Sequence, residues 1–245
     1  MQLPPVCVAP DKMIENKETA LFLWAQSAIY FPEVLAKEIR YDDIFDKYTP
    51  LKGGGNKEVP RPSPEVVNTS FLPKTYRFGD NLAKILDEFV YRNGFSGNKE
   101  FDTSITVIDS PRKKPTNDKT NLNEAEAIKA YICDINSEFV VTTPFKSQRK
   151  VLERKLRTVS SDDILTVHTS QGREWETVII STVDEKPKFF LNSKLPIGLR
   201  VLNTAISRAK KELIIVCNRE SWLAYREDQF LGRLVSSATK SLKFK

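Results

Sequence analysis

The 245-residue sequence has one histidine, His168, and three cysteines, Cys7, Cys133 and Cys217, none at CxxC spacing from another. A structural zinc site needs about four clustered ligands, so this inventory excludes a zinc-built domain. The scattered cysteines read as ordinary buried thiols of a reducing compartment. No run of about 18 apolar residues is present, and the N-terminus lacks the basic-then-apolar layout of a secretory signal. Together these absences predict an intracellular protein, cytoplasmic or, in a eukaryote, nuclear, with no metal site of its own and no membrane partner. The chain also lacks a GxxxxGK[ST] phosphate loop and an acidic strand end suited to magnesium. With no glycine-rich turn after an early strand, a dinucleotide-cofactor enzyme is poorly supported.

What is present is globular in character. Hydrophobic residues make up 40% and charged residues 29% of the chain, which argues against disorder or coiled coil throughout. The length suits one large domain or two small ones. A net charge of +6 points weakly to a polyanionic partner.

Short β-branched runs alternate with helical periodicity over the last two-thirds of the chain. Ser104–Ile108, Phe139–Thr143, Ile164–Val167, Thr177–Val183 and Leu213–Cys217 read as strands covered on both faces. Between them, 124–136 places Ala125, Ile128, Ile132 and Ile135 on one helical face after a candidate cap at Asn123, and 147–157 groups Val151, Leu152 and Leu156. The alternation predicts an α/β fold, a right-handed parallel sheet with helices on both faces. The first part, 1–70, reads as a separate segment with a helix over Thr19–Arg40 and a loop rich in proline around Gly53-Gly54-Gly55; the α/β domain is expected over 71–245. Asp80 is expected to cap an amphipathic helix with Leu82, Ile85, Leu86, Phe89 and Val90 inward.

In open parallel sheets, ligands gather at the carboxyl ends of strands. Thr143-Pro144-Phe145, Thr169 to Glu174 and Arg208 all follow strands or lie on the next helix, which predicts a site at that edge. The stretch Thr166–Glu176 is either a polar strand-to-helix turn or a set of hydroxyl and amide donors for phosphate with a carboxylate for a ribose. Val201–Lys210 reads as a helix packing Leu202, Ala205, Ile206 and Ala209 on the sheet, with Arg208 either solvated or functional. Tyr76 beside Arg77 is either a half-buried core residue or an aromatic that stacks on a base.

Several of these strings resemble the motifs of superfamily-1 helicases, and they occur in that family's order. Gln2-Leu3-Pro4-Pro5 resembles the tail of motif III, which implies a chain that begins inside a motif. Leu72 to Phe78, with its Tyr76-Arg77 pair, is similar to the Tyr-Arg segment of the branch containing the nonsense-mediated-decay RNA helicase and the replication nuclease-helicase. Val141 to Gln148 resembles motif IV, Ser170-Gln171-Gly172-Arg173-Glu174 resembles motif V, and Val201–Lys210 resembles motif VI, with Lys210 where a second arginine is usual. Lysine does not reproduce the arginine fork, which leaves that second arginine's contacts without an equivalent.

The resemblance implies the second RecA-like domain of a helicase, of P-loop NTPase type, that works against a first RecA-like domain holding most of the ATP and Mg²⁺. It implies that Gln2 senses the γ-phosphate or attacking water, that Arg77 and Arg208 neutralise charge as arginine fingers, that Tyr76 stacks on adenine, and that Gly172 and Glu174 contact the nucleotide. It further implies a grip on single-stranded DNA or RNA by Thr143, Phe145, Lys146, Thr169 and Ser170. By itself the segment is then expected not to hydrolyse ATP. The competing reading is a non-catalytic adaptor that uses a RecA-like fold to bind protein or nucleic acid.

Overall fold

A computed structural model describes residues 73–112 and 118–244. Gln2, the Thr19–Arg40 helix, the triple-glycine loop and the segment 1–70 lie outside the described residues.

Six strands make one sheet: β3 (Ser104–Asp109), β4 (Phe139–Thr143), β5 (Ile164–Thr166), β6 (Trp175–Ser181), β7 (Ala209–Cys217) and β8 (Lys240–Lys243). Their spatial order is β5-β4-β6-β7-β3-β8, with every neighbouring pair parallel. Ile108, Val141, Ile164, Ile179, Ile214 and Val216 point to one face, where they meet Ala125 and Ile128 of α2 (Leu122–Ile132) and Val151 and Leu152 of α3 (Lys146–Lys155). The alternate residues Val107, Val140, Val178, Ile180, Leu213 and Ile215 are buried on the opposite face. This two-sided burial is why the strands read as continuous apolar runs.

The connections β3-α2-β4 and β4-α3-β5 step one way across the sheet. The connection from β6 through α4 (Pro196–Ile206) to β7 steps the other way, and right-handed crossover therefore puts α4 on the second face, against β6. Neighbouring strands β4 and β6 thus send their following loops to opposite faces, and a crevice opens at their carboxyl ends.

Beside the sheet, β1 (Lys74–Gly79) pairs in parallel with β2 (Ser96–Asn98) and leads into α1 (Asp80–Leu86), which ends in a π-helical turn over Asp87–Tyr91. Leu82, Ile85, Leu86 and Val90 are buried as their spacing requires, and Phe89 stacks on Phe230 at 5.6 Å. The cap differs from expectation. Gly79 occupies the cap position, while the Asp80 carboxylate accepts from the Gly97 amide at 2.9 Å. A Cβ at Gly79 would lie 2.5 Å from the Thr103 amide nitrogen, so no larger residue fits there.

Two further boundaries move. The α2 cap is Asn121 rather than Asn123; its side chain accepts from the amides of Asn123 and Glu124. The motif-VI helix stops at Ile206, so Ala209 begins β7 instead of packing from a helix. The cause is sheet pairing, since the Arg208 carbonyl accepts from the Trp175 amide at 3.1 Å and draws the chain into register beside β6. After β7, α5 (Arg219–Leu223) and α6 (Phe230–Ser236) lead to β8.

Candidate functional site

Two sets of residues singled out by sequence lie at opposite edges of the sheet. Glu174 and Arg208 immediately precede β6 and β7, so they sit at amino ends of strands, and the expectation of a carboxyl-end position for them is corrected. The segment 167–174 accounts for the error. Thr166 ends β5 level with Thr143, whereas Trp175 starts β6 below Phe139, so this connection crosses the height of the sheet.

At the amino edge, β1 brings Arg77 to both of these residues. Its guanidinium donates to the Ser207 carbonyl at 3.0 Å and to Glu174 Oε1 at 2.6 Å. Lys210 Nζ lies 3.8 Å from the other Glu174 oxygen. The Arg77 hydrogen bond holds the Glu174 carboxyl below its usual range, helped by the charges of Arg77, Lys210 and Arg208. Arg208 is only 9% exposed and donates to the backbone carbonyls of Thr204 and Arg173 at 3.1 and 3.4 Å. Burial and the neighbouring Arg77 push its pKa below the ordinary arginine value. Arg77 Nε is buried without an acceptor.

Tyr76, one residue earlier on β1, is 72% exposed beneath Lys74 Nζ, 4.5 Å from the ring centroid. It is therefore not a half-buried core residue. Gly172, with φ +85°, is exposed and open to solvent, and its left-handed backbone is the conformation glycine adopts freely. Three cations and one carboxylate are thus gathered from three separate stretches of chain, and the exposed ring of Tyr76 adjoins Arg77 on β1.

The carboxyl edge holds the residues expected to grip a strand. Lys146 and Thr169 are exposed there. Thr143, Phe145 and Ser170 are buried, so their side chains are not offered to a strand directly, which corrects that part of the expectation. The Thr143 hydroxyl accepts from the Phe145 amide, the Ser170 hydroxyl donates to the Val167 carbonyl, and Phe145 packs on Phe190 at 5.9 Å. They brace the loops instead. Thr166 and Thr169 bond each other through side chain and backbone, fixing the turn that presents Thr169.

Sequence reasoning missed the polar core beneath this edge. Glu124 is fully buried and accepts from Ser181 Oγ at 2.6 Å, from Thr182 Oγ1 at 3.3 Å, from Asn121 Nδ2 at 3.1 Å and from the Val183 amide at 3.0 Å. Burial raises its pKa to about 7 against these hydrogen bonds. Gln148 accepts from the Asn121 amide and donates to the Asn121 carbonyl and Ser181. Val183, with φ +66°, is in a region that a β-branched residue rarely enters, and Arg112 holds its carbonyl at 3.0 Å. The one readable sign was an Asn121-to-Glu124 spacing at a helix start. Next to this turn, Lys119 pairs with Asp184 at 2.8 Å, and a cleft of about 280 Å³ is lined by Arg112, Asp184, Glu185, Lys186 and Lys188. Among the described residues no group of three His, Cys, Asp or Glu is placed to hold a metal ion, and no helix is long and apolar enough to cross a membrane.

The parallel sheet covered by helices on both faces is an α/β domain of RecA-like type. The chain belongs to the AAA domain family, whose profile matches residues 64–220. It is 35% identical over 102 residues to an uncharacterized ATP-dependent helicase of Methanocaldococcus jannaschii, covering 40% of this chain and 15% of that protein. It is 28% identical over 179 residues to the helicase sen1 of Schizosaccharomyces pombe, covering 65% of this chain and 10% of that protein. The chain therefore spans only a small part of the length of either relative. Among solved structures it is similar to the C-terminal domain of a possible DNA helicase from Lactobacillus plantarum, with a TM-score of 0.42 and 14% identity over 69% of this chain and 98% of that one. An arterivirus nonstructural protein 10 helicase in complex with DNA gives a TM-score of 0.36 and 16% identity over 67% of this chain and 28% of that one.

Proposed function

We propose that residues 71–245 form the second of two RecA-like motor domains in an ATP-dependent helicase acting on single-stranded DNA or RNA. The observation that carries this reading is the convergence of Arg77, Glu174 and Arg208 at one edge of the sheet. Glu174 is the single carboxylate against Arg77, Arg208 and Lys210, so the cluster keeps surplus positive charge, and its cost is offset when an anion is met.

The residues fit a nucleoside triphosphate. Among the described residues Arg208 hydrogen-bonds only two backbone carbonyls, so its guanidinium retains donors for phosphate oxygens, while Arg77, bonded to Ser207 and Glu174, adds its charge beside it. The exposed Tyr76 ring suits adenine, Glu174 pairs with Arg77, and Gly172 lies two residues before it in the crossover segment. Bound ATP would supply the phosphoanhydride whose hydrolysis drives movement. Arg77 and Arg208 would hold its phosphates and neutralise charge in the transition state. Magnesium belongs with the first RecA-like domain of the same protein, because the cluster here is cationic. Gln2 would join from outside the described residues.

At the opposite edge, Lys146 and Thr169 would meet strand phosphates, with Thr143, Phe145 and Ser170 fixing the loops from below. The crossover 167–174 links the two edges directly, which supports assigning nucleotide and strand to one device. The test is ATP turnover by the helicase carrying this domain, with single strand in excess. Arg208→Ala is expected to lower it about 10³-fold or more while the domain still melts cooperatively. Near-normal turnover refutes the assignment.

A further inference from the structure

We infer that Phe189 is a base-stacking platform for single-stranded nucleic acid, projecting into the crevice between the loops that follow β4 and β6. This rests on the strand-binding reading above and adds to it the residue that would hold a base. Phe189 is 58% exposed, and its backbone has φ +34°, a left-handed conformation that a bulky L residue seldom adopts. Nothing in packing asks for a phenylalanine there, since a glycine would take that backbone without strain and an exposed ring fills no core.

The ring has an aromatic neighbour to one side. It meets Phe190 edge-on at 4.6 Å, and Phe190 in turn contacts Phe145 at 5.9 Å and His168 at 6.3 Å. Buried Phe145 from the β4 loop, with half-buried Phe190 from the β6 loop and His168 from the β5 end, therefore forms an aromatic base, and Phe189 is its most exposed ring. Phe145, expected to grip the strand itself, is the floor of this arrangement.

Ammonium groups flank the rings. Lys146 is exposed directly after Phe145, and exposed Lys188 directly precedes Phe189, whereas Lys119, 5.1 Å from the Phe145 ring, is paired with Asp184 in a cleft that also holds Glu185. A projecting aromatic among ammonium groups matches the sequence-neutral grip on a single strand, in which rings take bases and cations take phosphates.

The test compares an oligothymidylate with an abasic strand of equal length, titrated by fluorescence anisotropy into the 245-residue chain as wild type, Phe189→Gly and Phe189→Tyr. Phe189→Gly, which suits the left-handed backbone, is expected to keep the melting temperature and weaken binding of the thymidylate about tenfold, leaving the abasic strand within about twofold. Phe189→Tyr is expected to restore the lost affinity. Wild-type binding that is indifferent to Phe189→Gly, or weakened equally on both strands, overturns the stacking role alone. If the wild type binds neither strand, the strand-binding reading falls with it.

Discussion

The buried carboxyl of Glu124 makes the stability of this domain depend on pH in a defined window. Burial lifts its pKa from 4.5 to about 7, although Ser181, Thr182, Asn121 and the Val183 amide all donate to it. Below about pH 4.5 the group is protonated in both the folded and the unfolded chain, and the folded state is at no disadvantage. As pH rises from there to about 7, the unfolded chain gains by ionising while the folded one keeps its proton, so stability falls. At about 1.4 kcal/mol per pH unit, the interval amounts to about 3 kcal/mol. Above about 7 the carboxyl ionises in both states and the loss stops. Glutamine does not titrate, so every other ionisable group cancels when wild type is compared with Glu124→Gln. The difference in melting temperature, wild type minus variant, is expected to fall by about 6–12 °C between pH 4.5 and 7.5 for a domain of this size. Circular-dichroism melts in a series of buffers measure it. A difference that stays flat, or grows with pH, refutes the account of a proton held on Glu124.

Arg77→Lys removes a fork that reaches Ser207 and Glu174 together; with the Arg77 and Glu174 side chains each about one-third exposed, stability measured by urea unfolding should change by less than about 1 kcal/mol. In the helicase carrying the domain, the same variant should raise the KM for ATP. Gly198→Ala places a Cβ 2.1 Å from the Asn192 carbonyl oxygen, and should lower the urea midpoint by the equivalent of about 1–3 kcal/mol. Cys133 is exposed, whereas burial holds the Cys217 thiol well above its usual pKa. A maleimide should label Cys133 in the native protein and Cys217 only after denaturation, as read by peptide mass mapping.

The central strands were legible because β3, β4, β6 and β7 are covered on both faces and therefore carry unbroken Val, Ile and Thr runs. Strands β1, β2 and β8 were not, since Lys74–Gly79, Ser96–Asn98 and Lys240–Lys243 keep polar or glycine positions and gain their pairing from neighbours distant in sequence. Ala209 misled for a related reason: its spacing from Leu202 and Ile206 is helical, but the register with Trp175 overrides that local preference. Asn121 and Asn123 are equally good caps as residues, and the choice falls to Asn121 through Gln148 and Glu124, contacts invisible in the local string. The identities of Arg77, Glu174 and Arg208 could be read from motifs, but their meeting at 2.6 Å and through shared charge depends on strand order. The rule that favours carboxyl ends pointed to the wrong edge for Glu174 and Arg208 because the 167–174 segment carries the chain across the sheet.

The two outermost strands of the described sheet are ill suited to recruiting another chain. Strand β5 offers only three residues of template, and β8 places exposed Lys240 and Lys243 along the other margin. Ladder growth needs a long, flat and uncharged border, and neither side supplies one. The lysines set like charges opposite one another in any symmetric pairing, which discourages edge-to-edge aggregation while leaving the covered interior unaltered. A domain with arginines along one rim and an aromatic crevice along the other can therefore remain open at both functional surfaces without its sheet becoming a seed for self-association.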